Sequence, residues 1–91
     1  MNMFWYCEVK VKGIDTSYAY ISDCGELAVG SYVEVPFGTQ NMLRIGRVES
    51  CGAYTEELAP YPVEKTKHIV RIVTKEEYDE HNLTVLELHA S

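Results

Sequence analysis

The sequence of 91 residues lacks most of the features that announce an activity. No apolar run approaches the roughly 18–20 residues of a membrane span. No basic segment precedes an apolar stretch, so Met-Asn-Met-Phe-Trp-Tyr is expected to open the mature protein, with a cytoplasmic location and no membrane partner. No Gly-x-x-x-x-Gly-Lys-Ser/Thr loop is present to cradle a nucleotide's phosphates. Cysteine is sparse: Cys7, Cys24 and Cys51 are odd in number and contain no C-x-x-C pair, which argues against a disulfide framework and against zinc. They are expected as reduced, partly buried thiols. His68, His81 and His89 have no carboxylate or cysteine at a recurrent ligand spacing. Glu76, Glu77, Asp79 and Glu80 lack the Asp-x-Asp-x-Asp-Gly pattern of a calcium loop. No nucleophile stands beside a recognisable base. The expectation is a non-enzymatic chain with no catalytic residue, metal, cofactor or small-molecule substrate.

Positive charge is also scarce, with 8 Lys and Arg against 14 Asp and Glu for a formal net charge of -6. That sign disfavours a phosphate binder, because Lys and Arg contacts supply most non-specific affinity for nucleic acid. The acids are unevenly spread. Residues 76–91 carry five of them and no Lys or Arg, which leaves 9 acids against 8 bases in residues 1–75. The expected organisation is one domain: a near-neutral body over 1–75 and an acidic tail over 76–91.

What is present is a succession of short alternating segments. Met3, Trp5, Cys7, Val9 and Val11 alternate with Phe4, Tyr6, Glu8, Lys10 and Lys12, a pattern that predicts a half-buried strand over 3–11. Tyr18-Ala19-Tyr20-Ile21 predicts a second strand. Gly30 to Gly38 (Gly-Ser-Tyr-Val-Glu-Val-Pro-Phe-Gly) and Arg44 to Val48 predict a β-hairpin with Val33 and Val35 on one face. Pro36 suits a position whose N–H is not needed. Residues 51–66, with glycine, two prolines and scattered charge, predict a long loop. Residues 68–73 predict a further strand. Thr74-Lys75-Glu76-Glu77 matches a capping box and predicts a helix from residue 75 to about 81. Leu83 to Leu88 fits either a continuation of that helix or an extended segment, the latter being preferred. Five or six short strands with glycine turns predict a mainly β fold: a small OB-like antiparallel β-barrel with a short C-terminal helix.

Tyr18-Ala19-Tyr20, Gly30-x-x-Val33-x-Val35-Pro36-Phe37-Gly38, Ile45-Gly46-x-Val48 and Lys67-x-Ile69-Val70-x-Ile72-Val73 follow one another over residues 3–74. In order and spacing they resemble the N-terminal DNA-binding domain of the primosomal replication-restart helicase PriA (primosomal protein N′). The resemblance implies an OB-like barrel that captures the 3′ end of a nascent DNA strand, here without the helicase motor. It implies a pocket at Tyr18, Ala19, Tyr20, Gly38 and Lys67. It departs from the family at Ala19, where the family carries an aspartate able to accept a hydrogen bond from the terminal hydroxyl; a methyl group cannot. Arg71 is expected to assist, as one of the acid-free basic cluster Lys65, Lys67, Arg71 and Lys75. The implied function is weak binding of single-stranded or branched DNA in replication restart. A protein-interaction module that keeps the barrel and has lost the DNA site is the alternative. Aromatics on strands more often pack than stack on bases, and a basic strand face is often merely solvated, so both meanings stay open for these residues.

Overall fold

In a computed structural model the described residues are 2–81. They form one five-stranded antiparallel sheet and a short helix: β1 (Phe4–Val11), β2 (Ser17–Ser22), β3 (Tyr32–Phe37), β4 (Met42–Tyr54), β5 (Arg71–Val73) and α1 (Lys75–Glu80). The strand order is β2-β1-β4-β3-β5. The mainly β class and the short helix agree with the sequence. Closure into a barrel does not, because β2 and β5, the two edges, are not joined by a ladder. β2 instead meets the segment before β5 through one parallel bridge, Ile21 with His68, in which the Ile21 N–H donates to Lys67 O (2.9 Å) and Ile21 O accepts from the Ile69 N–H (2.8 Å).

Period-two alternation decides what is buried. Cys7, Val9 and Val11 of β1, Val33 and Val35 of β3, and Val48 of β4 have no exposed surface and share one core with Tyr20 and Leu27. Fully burying such side chains contributes roughly 1.5–3 kcal/mol each before entropy is set against it. Gly46 lets the sheet close up at its centre: a Cβ there would stand 2.7 Å from both Lys10 O and Val9 Cγ1.

Three expectations are corrected. The predicted loop from residue 51 begins four residues later, since β4 runs on to Tyr54. The reason is β1, whose first half pairs Phe4 with Tyr54 and Cys7 with Cys51 beyond a bulge that leaves Glu49 without an opposite residue. The same register sets Cys7 and Cys51 face to face, Cα atoms 4.1 Å apart, and the two are joined as a disulfide; only Cys24 is a free thiol, and it is exposed. Their separation of 44 residues concealed the pairing. Finally, the strand predicted over 68–73 is regular only over Arg71–Val73, because His68 turns toward β2 while the Val70 N–H turns to Glu34 O on β3.

Between β4 and β5 the chain makes single 3₁₀ turns at Glu56–Leu58 and Val63–Lys65. Tyr6 points to this side of β1, is 4% exposed, and donates its hydroxyl to Tyr61 O at 2.8 Å. α1 starts at a complete capping box, with Thr74 Oγ1 accepting from the Glu77 N–H and the Glu77 carboxylate accepting from the Thr74 N–H. Six residues fall far short of the roughly 12–15 that an isolated helix needs, so α1 depends on what it touches. Its Tyr78 ring lies against Tyr32, centroids 4.4 Å apart, and Lys12 Nζ donates to the Tyr78 and Asp79 carbonyls at the helix's C-terminal end, where a cation suits the helix dipole. The expected extended segment over 83–88 lies outside the described residues.

Candidate nucleic-acid interface

The residues singled out in the sequence come from three separate places, and β2, the end of β3 and the approach to β5 carry five of them to one pocket. Tyr18, Ala19, Tyr20, Gly38 and Lys67 all line a pocket of about 530 Å³, together with Tyr61 and Lys65. The pocket exists because the chain leaves the sheet. Past the Ile21–His68 bridge a parallel ladder would continue from Ala19 toward Thr66, but residues 63–65 coil into a 3₁₀ turn and the two segments part. Ile21 directs its N–H and C=O away from β1, so by alternation Ala19 directs its own to the same side, along the free edge of β2.

The two tyrosines divide their roles. They share a face, two residues apart, but Tyr20 is 3% exposed and donates its hydroxyl to Pro36 O at 2.9 Å. Burial, with Tyr18 nearby as a second cause, pushes its phenol up to about 12, so it remains a protonated core post. Tyr18 is 41% exposed and meets Phe37 edge-on, ring centroids 5.3 Å apart. Phe37 thereby fixes the ring that solvent sees.

Gly38 closes β3 at φ +78°, in the left-handed region that glycine enters without steric cost, and nothing lies within 4 Å of where a Cβ would stand. The requirement there is conformational rather than spatial. Its carbonyl accepts from Lys67 Nζ at 2.6 Å, which holds the ammonium at the rim and leaves two of its three N–H donors for a ligand. Lys65 also reaches the rim and has no partner among the described residues.

Most other polar side chains of the lining are occupied. Ser17 donates to Glu49, and Thr66 donates to Pro62 O at 2.7 Å. The pocket therefore presents aromatic faces, two lysine ammoniums and a strand edge, with no carboxylate among its lining residues. Tyr61, at 53% exposure, was missed in the sequence; its position between Pro60 and Pro62 marks a fixed turn but says nothing about where the turn lands.

Arg71 does not join this group. It lies across the sheet, bridged to Glu34 (Nε to Oε1, 3.0 Å) and to Glu77 (Nη2 to Oε2, 3.0 Å). Hydrogen bonding to Glu77 first, and the charges of both acids, raise its already high pKa, while the Arg71 bond and the Thr74 N–H hold the Glu77 carboxyl below its ordinary 4.5. Lys75 pairs with Asp79 at 2.8 Å within α1. The basic cluster read from residues 65–75 thus splits in two, with Lys65 and Lys67 at the pocket and Arg71 and Lys75 neutralised by acids. Elsewhere His68 Nδ1 lies 3.0 Å from Asp23, an exposed pair. Among the described residues no group of three or more His, Cys, Asp or Glu is placed to hold a metal ion. No helix among them is long and apolar enough to cross a membrane.

Compared with protein-family models, with curated proteins and with solved structures, the chain matches none.

Proposed function

We propose that this chain is a non-enzymatic DNA-binding module of the PriA 3′-end-binding type, an OB-like domain whose pocket takes an unpaired nucleotide of single-stranded or branched DNA. One observation carries the reading: five residues implied by the resemblance, separated by up to 49 positions, line one pocket, and its described lining includes two lysines and no acid in a chain of net charge -6. The bridge between β2 and the segment leading into β5, at Ile21 and His68, supports the OB-like description.

Tyr18 offers the stacking face, a contact worth roughly 1–3 kcal/mol per base in single-strand binders. Lys67 and Lys65 meet the adjoining phosphates, and the Gly38 turn keeps the rim free of a side chain. With alanine at 19, no side-chain carboxylate accepts the terminal hydroxyl, so affinity rests on stacking and charge and is weak.

The test is fluorescence anisotropy with a labelled single strand bearing a free 3′-hydroxyl, beside the same strand blocked at that end, at low and moderate salt. The expected result is salt-sensitive binding with a log–log slope near -0.7 per neutralised phosphate, weakened by Lys67→Glu and little altered by the block. Absence of binding at low salt refutes the DNA reading.

The second reading is a protein-interaction module, favoured by apolar side chains left in solvent at the start of β5: Val70 just before it and Ile72 within it are 52% and 54% exposed and line a small cleft of about 90 Å³ that Leu27 and Ile69 also line. That module is indifferent to Lys67→Glu and gains stability only with its partner.

A further inference from the structure

The outer face of the sheet collects cations that the pocket does not use. Register places Lys10 opposite Arg47 and Arg47 opposite Tyr32, and Tyr32 opposite Val73. The next row runs from Lys12, whose N–H donates to Ile45 O, through Ile45 to Glu34 and Arg71. Side chains directly opposite one another share a face, so Lys10, Lys12, Arg47 and Arg71 lie together around Tyr32. They are four of the chain's eight Lys and Arg. Within these two rows Glu34 is the one acid, with Glu8 next along β1 and Glu49, in the β4 bulge two residues from Arg47, turned to the Ser17 hydroxyl opposite Lys10.

What neutralises and covers this face is α1. Glu77 takes Arg71, the Tyr78 ring lies on Tyr32 and 4.7 Å from Lys12 Nζ, and the last carbonyls of the helix accept from Lys12. The side chains of Lys10 and the exposed Arg47 have no hydrogen bond or ion pair among the described residues. Half of the cationic face is therefore spent on an acidic helix too short to stand alone, and the other half is open beside it.

We propose that this face is a second phosphate-binding surface, fitted to the backbone of double-stranded DNA, and that α1 is its displaceable acidic cover. Charge complementarity commits the occupant: the same cations that α1 pairs with carboxylate and carbonyl oxygens pair equally with phosphodiester oxygens, and a duplex presents such oxygens over a broad surface. The inference shares its type of ligand with the proposed function but stands on residues that do not line the pocket. A branched DNA would then meet the chain twice, its unpaired nucleotide at Tyr18 and its duplex arm at Arg47.

The experiment is a gel-shift and anisotropy titration of the full chain with a short duplex closed at both ends by non-nucleotide linkers, which offers the pocket neither strand end nor unpaired base. Glu77→Gln retains a capping-box side chain while removing its charge, and Tyr78→Ala removes the ring. The double variant is expected to bind the closed duplex at least fivefold more tightly at low salt, with a slope steeper by about 0.9 for each phosphate newly engaged. Glu77→Gln alone gives a smaller gain in the same direction. Adding Arg47→Glu abolishes the gain, and adding Lys67→Glu does not. Unchanged affinity in the double variant, or a gain that survives Arg47→Glu, overturns the proposal. Loss of single-strand binding in Lys67→Glu alongside that negative result leaves the pocket reading standing; duplex binding that needs Arg47 in a chain indifferent to Lys67→Glu does the reverse.

Discussion

Two regions of this small sheet carry the same kind of side chain and put it to opposite uses. At the pocket, no carboxylate is among the described lining residues, Glu49 being turned to the Ser17 hydroxyl, and Lys67 is held by a neutral carbonyl. Across the sheet, Arg71 lies between Glu34 and Glu77 and Lys12 is spent on α1. Net charge describes neither place. An interface is decided by which cations keep donors for a ligand, and here topology decides that by peeling residues 61–66 away from β2 while folding 75–80 onto β3 and β5.

The largest expected effect comes from emptying the core site behind the pocket wall. Ile21 is 2% exposed, and its main chain holds the segment at 67–69 that carries Lys67 to the rim. Ile21→Ala should cost about 2–5 kcal/mol in urea denaturation, the range for emptying a buried aliphatic site. If the pocket wall hangs on that joint, Lys67 loses its position and single-strand affinity falls even where the variant is fully folded. Full affinity in the folded variant would show that the pocket is built independently of the bridge.

Tyr18→Ala sharpens the comparison from the pocket side. A stacked base is worth roughly 1–3 kcal/mol, so single-strand affinity should drop by about 5- to 150-fold in the anisotropy titration. Stability should change little, because the ring is largely a rim element and Tyr20 beneath it carries the core contact. A drop in stability without a drop in affinity would make Tyr18 a packing residue and move weight to the protein-interaction reading.

Much of this division could be read from the residues, and the part that could not has a common cause. Alternation predicted the burial of Cys7, Val9 and Val11 and of Val33 and Val35, though not the exposure of Met3 or the burial of Tyr6 on the opposite face, and the Thr74–Glu77 box predicted where α1 starts. Both are local signals. The Cys7–Cys51 pairing, the run of β4 to Tyr54 and the arrival of Tyr61 at the pocket depend on register between segments some 40 or more residues apart. A run such as Glu49-Ser50-Cys51-Gly52 carries little strand propensity of its own and is strand because β1 lies beside it. Arg71 failed to join the pocket for the same reason: on sequence it is four residues from Lys67, but the chain changes partner from β2 to β3 between them. The site residues implied by resemblance came together as a pocket, whereas the cation row Lys10–Arg47 was invisible until register was known.

Thr74→Ala tests how firmly the covered region is held. Losing a helix N-cap costs about 0.5–2 kcal/mol, here of helix α1 rather than of the sheet, since α1 is at the periphery. Amide exchange in 75–80 should speed up while β1 and β4 remain protected. Equal loss of protection in the strands would mean that α1 is part of the cooperative core and no cover at all.

The smallest effect is electrostatic, and its sign follows from Glu77. Its carboxyl is held below 4.5, first by the Arg71 hydrogen bond and then by the Thr74 N–H. A group whose pKa is lowered on folding contributes stability above its unfolded value, and that contribution is lost as pH falls through the lower folded value. The Glu77 contribution to the anchorage of α1 should therefore be present above pH 4.5 and weaken only in more acid solution. Following the Glu77 side-chain carboxyl by NMR across the titration should give a midpoint below 4.5, and Arg71→Ala should move it upward. Both groups are exposed and surface pairs of this kind are weak, so the midpoint is the sensitive readout and overall stability is not. A midpoint unmoved by Arg71→Ala would show that the capping N–H alone holds Glu77, and Arg71 would then count with the open cations rather than the covered ones.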